Sequence, residues 1–185
     1  MARPTQTLLD FLRIEMGLTG TKGACLEGEC GSCYVLVDGK PMNSCLMLAP
    51  QVQDRNVTTI EGFARNNKLD VIQQKFVECG AVQCGYCTPG LIVAAKALLS
   101  VNPHPSREEF LVGMEGNICR CTGYSKILRA CELAAEELGL KTTGSATTGS
   151  TTTGRDACAT TCATTCATKT TGRDACATGE SKKKA

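Results

Sequence analysis

The residues best suited to chemistry in this chain of 185 amino acids are its 14 cysteines, which far outnumber its one histidine. Cysteines at this density form disulfides, bind zinc or bind iron–sulfur clusters. We find no secretory signal peptide ahead of the first predicted helix, so we expect a cytoplasmic protein with reduced thiols. A reducing compartment favours metal ligation, with disulfides as the competing explanation.

The first group of thiols consists of Cys25, Cys30 and Cys33, spaced as C-x4-C-x2-C, with Cys45 following a predicted hairpin. This is the spacing of plant-type [2Fe–2S] sites. Zinc sites instead favour paired C-x2-C knuckles. Three glycines of the same loop allow the tight, positive-φ backbone that wrapping around a cluster requires: Gly23, Gly28 and Gly31. The spacing therefore predicts a [2Fe–2S] site, with a zinc site as the alternative.

The second group combines Cys84 and Cys87, spaced C-x2-C, with Cys119 and Cys121, spaced C-x-C. Each pair precedes a predicted helix, whose N-terminal dipole favours the negative charge of thiolates. A C-x-C pair is uncommon in zinc sites, so the pattern favours a second cluster. Cys79 offers a rival arrangement, because Cys79, Cys84 and Cys87 also read C-x4-C-x2-C. In that arrangement Cys79 would replace one thiol of the later pair.

Hydrophobic periodicity and capping signals predict the elements that position the first group. A first helix is capped by Thr7, and its apolar face is predicted to hold Leu8, Leu9, Leu12 and Met16. A strand at Tyr34–Val37 then enters an Asp-Gly hairpin turn, and the chain returns towards the last thiol of the group. Residues 57–60 are a further predicted strand. The first half is therefore expected to be a small mixed α+β unit.

The second half is predicted to contain four helices, at residues 70–79, 89–100, 106–114 and 125–138. Thr88 is placed to cap the second of them, with Pro89 at its first position. Ser106 and Glu109 form a capping box at the start of the third. Cys131 falls inside the fourth helix, where a small apolar core residue is expected. His104 lies between two prolines in a connecting loop and is expected to be exposed.

Composition separates a tail, 140–185, from a folded part, which the predicted elements divide into two domains at 1–66 and 67–139. From residue 141 onward the chain lacks Leu, Ile, Val, Met, Phe and Tyr, and the segment TTGRDACAT occurs twice. A segment with so little to bury cannot offset its ordering entropy, so we expect a disordered low-complexity tail. The net charge of +2 argues against a nucleic-acid binder, and the apolar runs are too short for a membrane span.

Three motifs give the chain a family resemblance. They are GTKGACLEGECGSCYVLVDGKPMNSCLMLA at 20–49, QCGYCTPG at 83–90 and GNICRCTGY at 116–124. In this order they resemble the small iron–sulfur subunit of the molybdenum hydroxylases, the family of xanthine dehydrogenase, aldehyde oxidoreductase and carbon monoxide dehydrogenase. The resemblance covers residues 5 to 138. It implies a plant-ferredoxin-like β-grasp domain followed by a small four-helix bundle, each with one [2Fe–2S] cluster.

The resemblance also implies a function and partners. Such a subunit does no substrate chemistry itself but relays electrons within an oxidoreductase, from a large molybdopterin subunit to a medium FAD subunit. The large subunit chooses the substrate. Cys25, Cys30, Cys33 and Cys45 would hold the cluster nearer the flavin. The second group, with Cys121 as its last member, would hold the cluster nearer the molybdenum.

Two further positions and two departures follow from the same resemblance. Gln83 and Cys121 occupy the places that approach the pterin. The chain begins almost at its first helix, where the family has a β-hairpin, so a shortened sheet with an exposed edge is expected. Ala24 stands where the family has glycine and would be strained if its φ were positive. A stand-alone two-cluster ferredoxin and a zinc-binding structural adaptor are the alternative functions.

Overall fold

The computed structural model describes residues 3–66 and 68–139. The predicted disordered tail, 140–185, lies outside the described residues. Within them the fold is α+β, as predicted, with a small sheet and short helices first and four helices after it. In this part of the chain, no helix is both long enough and apolar enough to cross a membrane.

The sheet of the first half has three antiparallel strands in the order β2–β1–β3. These are Tyr34–Val37 (β1), Lys40–Asn43 (β2) and Val57–Thr58 (β3). Asp38 and Gly39 join β1 to β2 with φ values of 50° and 81°, which are the positive values that a tight hairpin turn requires. The hairpin and β1 are therefore confirmed as predicted.

The predicted strand at 57–60 is shorter than expected. The chain leaves β3 after Thr58 and turns into a 3-10 segment, Ile60–Phe63. The peptide N–H of Gly62 donates to the carbonyl of Thr59, and the Thr59 hydroxyl donates to the Glu61 carboxylate. These local hydrogen bonds replace the ladder bonds that a longer strand would need.

The first helix begins as predicted, but the last residue of its predicted apolar face is exposed. Thr7 caps α1 (Leu8–Asp10), and a π-helical turn, Phe11–Glu15, continues it. Leu8, Leu9 and Leu12 are buried, whereas the expected fourth member of that face, Met16, is 57% exposed. The wider π turn rotates later side chains away from the 3.6-residue period, so the prediction for Met16 was wrong.

The second half contains the four predicted helices: Val71–Glu78 (α2), Thr88–Val101 (α3), Arg107–Gly113 (α4) and Ser125–Glu137 (α5). The Ser106–Glu109 capping box is confirmed. Thr88, however, is the first residue of α3 rather than its cap. Cys87 takes the capping position with helical backbone angles, so the helix begins directly at a predicted ligand.

The two halves share their packing through β1, whose side chains alternate between the two faces of the sheet. Val35 and Val37 face α1 and belong to a cluster with Leu8 and Leu12. On the other face, Tyr34 and Leu36 pack against the helical core, as does Ile60 in the turn that follows β3. The thiol loops therefore rest on a common, well-packed frame.

Candidate iron–sulfur sites

The first thiol loop runs between the first helix and β1. Gly28 and Gly31 have φ values of +84° and +66°, as expected for a loop that turns tightly. Gly23 and Ala24 do not have positive φ, so the condition for strain at Ala24 is not met. The left-handed conformation falls instead on Leu26, at φ 60°. No local pattern marks that position, because leucine rarely adopts such angles.

The four thiols of the first group form two pairs. Cys33 Sγ lies 3.4 Å from Cys45 Sγ, and both residues are buried. The thiols of Cys25 and Cys30 form a second pair through a side-chain hydrogen bond and are partly exposed. One pair therefore lies inside the loop, and the other lies towards its surface.

The two pairs differ in how easily they ionise. The peptide N–H of Glu27, 3.4 Å from the Cys25 sulfur, and other backbone donors lower the pKa of Cys25 to about 6. Burial raises the pKa of Cys33 to about 12. A metal ligand must be a thiolate. Cys25 therefore supplies one at neutral pH, whereas Cys33 needs positive charge beside it, which a metal centre provides.

The second group is also gathered from distant parts of the chain. Cys121 Sγ lies 3.6 Å from Cys84 Sγ, and both residues are exposed. Cys87 and Cys119 form the other pair and lie deeper. The predicted meeting of these four thiols is therefore present.

Burial and local donors set the protonation of the deeper pair. Burial raises the pKa of Cys87 to about 12. Burial also acts against ionisation of Cys119, but the hydroxyl and peptide N–H of Thr122 outweigh it and lower the pKa of that thiol. The Thr122 hydroxyl lies 3.0 Å from the Cys119 sulfur. Each site thus combines a thiol whose pKa local hydrogen bonds lower with a thiol whose pKa burial raises.

The pairing of the thiols bears on which metal centre, a [2Fe–2S] core or a zinc ion, each site could hold. A [2Fe–2S] core bound by four cysteines takes two thiolates on each iron. A structural zinc ion draws four ligands around one point. The pairing of the thiols in each group matches the ligand arrangement of a two-iron core.

Two other described cysteines, Cys79 and Cys131, belong to neither group of thiols. Cys79 ends α2 and packs against the helical core near Cys131. Cys131 is fully buried, as predicted for a core residue. His104 lies exposed in the loop between α3 and α4, also as expected. The rival arrangement that uses Cys79 is not favoured by this geometry, because both later thiols are already paired, Cys121 with Cys84 and Cys119 with Cys87.

Gln83 and Cys121, the two positions with an expected pterin contact, are both exposed beside Cys84. Sequence reasoning missed three side chains that position the ligand loops: Tyr86, Asn117 and Tyr124. The Tyr124 hydroxyl accepts the peptide N–H of Cys119 at 2.7 Å and donates to the Asn117 carbonyl at 3.1 Å. All three residues lie inside the cysteine motifs, and that was the only signal in the sequence for their role. The sequence does not show which groups an isolated Tyr or Asn side chain contacts.

Comparison with known families assigns a domain class to each half. Residues 1–59 match a 2Fe-2S iron-sulfur cluster binding domain, and residues 59–132 match a [2Fe-2S] binding domain. Both halves of the described chain therefore belong to [2Fe–2S]-binding classes, in the order that the motifs predicted.

Relatives of known name agree with this class. The chain is 52% identical over 136 residues to the nicotinate dehydrogenase small FeS subunit of Eubacterium barkeri, covering 74% of this chain and 87% of that one. It is 45% identical over 132 residues to the xanthine dehydrogenase iron-sulfur-binding subunit of Escherichia coli O157:H7, covering 69% of this chain and 80% of that one.

Solved structures show the same relationship. Quinoline 2-oxidoreductase from Pseudomonas putida 86 superposes with a TM-score of 0.71 at 46% identity, over 73% of this chain and 84% of that one. Aldehyde oxidoreductase from Desulfovibrio gigas superposes with a TM-score of 0.72 at 40% identity, and the match covers 75% of this chain and 16% of that one. The chain belongs to the family of small iron–sulfur subunits of the molybdenum hydroxylases, which are electron-transfer subunits of oxidoreductases with two [2Fe–2S] domains.

Proposed function

We propose that the chain holds its clusters at the two groups of paired thiols and relays single electrons from a molybdopterin centre on a large partner to FAD on a medium partner. One ligand set is Cys25, Cys30, Cys33 and Cys45, and the other is Cys84, Cys87, Cys119 and Cys121. Each bound cluster supplies one-electron redox chemistry. The observation that carries the proposal is the meeting of these eight thiols in four pairs.

The chain's own contribution is to hold the thiolates and supply hydrogen bonds to them. The Glu27 N–H donates to the Cys25 sulfur at 3.4 Å, and the Thr122 hydroxyl lies 3.0 Å from the Cys119 sulfur. Asn43 holds the first loop instead: its amide nitrogen donates to the Gly28 carbonyl at 3.0 Å, and its Oδ1 accepts the Cys33 thiol at 3.6 Å. Donors to a ligand sulfur stabilise its negative charge and so favour the reduced state of a centre bound there.

The exposed edge of the second site supports contact with the molybdopterin subunit. Gln83, Cys84 and Cys121 are all exposed. The Gln83 amide can donate and accept hydrogen bonds, which suits the polar edge of a pterin. Exposure of a ligand pair is expected where a partner completes the surroundings of a redox site. We therefore propose Gln83 and Cys121 as the pterin-contacting residues.

The names of relatives support a multi-subunit assembly. A caffeine dehydrogenase subunit gamma from a Pseudomonas strain is among them, beside the xanthine dehydrogenase relative from Escherichia coli O157:H7.

We propose domains at 1–66 and 67–139 in this chain and a cytoplasmic location. The free cysteines among the described residues support that location, because thiols persist in a reducing compartment.

The test has two parts. The full-length chain is reconstituted anaerobically, and we expect about four iron and about four sulfide per chain, as two clusters require. Cys33→Ser and Cys84→Ser should each remove one of the two EPR signals of the reduced chain. Cys79→Ser is the matched control and should keep both signals. Zinc without sulfide, or loss of a signal in Cys79→Ser, would overturn the ligand assignment.

The partner assignment is tested by purifying the chain from cells that express it with its neighbouring genes. We expect it to elute with chains that contain molybdenum and flavin. Gln83→Ala should weaken this association or slow electron uptake from the molybdenum centre while the cluster content stays unchanged. A chain that carries both clusters yet elutes alone would support the stand-alone ferredoxin instead.

A further inference from the structure

An open groove lies where the sheet of the first half meets helices α2 and α3. Its volume is about 680 Å³. The apolar part of its lining includes Leu36 of β1, Phe63 and Val71. Leu69 also lines the groove and leaves 54% of its surface exposed to solvent. None of these residues belongs to either group of thiols, so the groove has no part in the proposed cluster binding.

Three cationic side chains line this groove against one acidic side chain. The cations are Arg65, Lys68 and Lys96, and the acid is Asp70. Lys96 Nζ lies 2.7 Å from Asp70 Oδ2, so these two charges offset each other. Residues 1–139 as a whole carry 13 Lys and Arg against 15 Asp and Glu, a net charge of −2. The groove is therefore a positive surface on an acidic folded part.

The two remaining cations, Arg65 and Lys68, lie opposite each other across a tight turn. The peptide N–H of each donates to the carbonyl of the other, at 3.0 and 2.9 Å, and the two residues form an antiparallel β-bridge. Side chains of such a pair project from the same face, and like charges placed directly opposite are destabilising. Both residues are exposed, and among the described residues no ion pair involves either of them. An anion supplied from elsewhere would relieve their repulsion.

The apolar lining indicates what kind of anion fits. A free inorganic anion gains nothing from contact with Phe63 or with the exposed side chain of Leu69. A peptide segment that carries carboxylates beside an apolar side chain can satisfy both the charges and the apolar surface, as an apolar anchor within a polar rim does at protein interfaces. A nucleic acid is disfavoured, because the folded part is acidic overall. Relatives of this chain are subunits of dehydrogenases, so a neighbouring subunit can supply the segment.

We propose that this groove is the docking site for an acidic segment of a partner subunit. Carboxylates of the segment contact Arg65 and Lys68, and an apolar side chain of the segment packs against Leu69. The inference rests on the proposed assembly with partner subunits. It concerns residues other than Gln83 and Cys121, which are the proposed pterin contacts.

The first test reverses the two charges in the assembly purified from cells that express the full-length chain with its neighbouring genes. The variant is Arg65→Glu with Lys68→Glu. The matched control is Lys126→Glu with Arg129→Glu, because these exposed residues of α5 are also one Lys and one Arg, three positions apart. Both double variants change the net charge equally. Size-exclusion chromatography at increasing salt measures how much of the chain stays with its partners, and iron content shows whether the clusters are retained.

We expect the variant at Arg65 and Lys68 to leave the assembly at lower salt, with an apparent Kd raised about tenfold or more, because like charges would then face each other. The double variant at Lys126 and Arg129 should match the unaltered assembly. Iron content should be the same in all three. The unaltered assembly should itself weaken as salt rises, because salt screens exposed charges.

The second test identifies the contact by cross-linking the unaltered assembly with a carbodiimide. This reagent joins a lysine amine to a carboxylate in contact with it, forming an amide bond with loss of one water. We expect peptide mass spectrometry to find Lys68 joined to an Asp or Glu of a partner subunit. Lys68→Arg should lose this cross-link but keep the salt resistance of the assembly, because arginine retains the charge and lacks the amine.

Several results would overturn the inference. One is equal salt resistance in the unaltered assembly and the variant at Arg65 and Lys68, and another is an equal loss in the control variant. Cross-links from Lys68 only within its own chain, or to a second copy of it, would also overturn it, and this result stands even if the charge-reversed chain does not fold. A cluster-loaded chain that elutes without any partner would instead overturn the proposed assembly, so the two failures are distinguishable.

Discussion

Glu61 Oε1 lies 2.7 Å from the amide nitrogen of Gly20, and this hydrogen bond joins the start of the first thiol loop to the turn that follows β3. The other carboxylate oxygen accepts the Thr59 hydroxyl at 2.6 Å. A Cβ at Gly20 would collide with Glu61 and with Ile60, so the two segments are in close contact. One carboxylate thus holds the loop that presents the first group of thiols.

Glu61→Gln is expected to destabilise the chain, because the amide replaces one of two acceptor oxygens with a donor. We expect a loss of about 1 kcal/mol, reduced from the usual value for charged hydrogen bonds because the side chain is partly solvated. The midpoint of anaerobic urea unfolding, followed by circular dichroism, measures it. Glu136→Gln, at an exposed position of α5, is the control and should leave the midpoint unchanged.

The same carboxylate should make stability depend on acid pH. Burial raises the pKa of Glu61, but hydrogen bonds from Thr59 and Gly20 outweigh it and hold the pKa below its usual range. A lowered folded-state pKa means that the stabilisation is complete above the pKa of an unfolded glutamate and is lost as the pH falls through the folded value. The gap in unfolding midpoint between the unaltered chain and Glu61→Gln should therefore close as the pH falls through this range. A gap that stays constant would contradict this role.

Gly31→Ala and Gly39→Ala form a matched pair for the junction between the loops. Both glycines have positive φ, at +66° and +81°, so alanine is strained at either by about 1 kcal/mol. Only the Cβ at Gly31 would also overlap other backbone, whereas nothing lies within 4 Å at Gly39. We expect Gly31→Ala to cost about 3 kcal/mol or more in unfolding free energy. Equal losses in the two variants, measured by urea unfolding, would show that the close approach is not structurally important.

Cys131 should resist alkylation in the native chain. It is fully buried, and burial raises the pKa of its thiol to about 12, so thiolate at neutral pH is negligible. Cys79 is partly exposed and should react with iodoacetamide much faster. Peptide mass spectrometry of labelled chain checks this, with urea-unfolded chain as the control in which both react. Equal labelling of the two cysteines in native chain would mean that the core around Cys131 opens readily.

Cysteine spacing identified the candidate thiols but left the Cys79 arrangement open, because Cys84 and Cys121 meet across 37 residues of sequence. Short-range signals were sufficient for the hairpin at Asp38 and Gly39 and for the capping box at Ser106. In each case the chemistry that decides the structure lies within a few residues of sequence.

Other features depend on contacts between distant segments and were not predictable. Leu26 adopts a left-handed conformation, and Ala24 does not, because the path of the whole loop decides which residue turns. The π turn that exposes Met16 breaks the helical period on which its predicted burial relied. Asn117 reaches a carbonyl 86 residues away. Such long-range contacts leave no periodic pattern in one sequence.

We propose that eight thiols, in four pairs, hold two separate two-iron clusters. The Mössbauer spectrum of the full-length chain, reconstituted with ⁵⁷Fe and sulfide, is the test of this proposal. We predict that the oxidised chain shows only diamagnetic, sulfur-coordinated ferric iron at about four atoms per chain, as two [2Fe–2S] centres require. After one-electron reduction of each site, half of the iron should become ferrous. Iron bound as single paramagnetic ions, or saturation at half this amount, would contradict the claim.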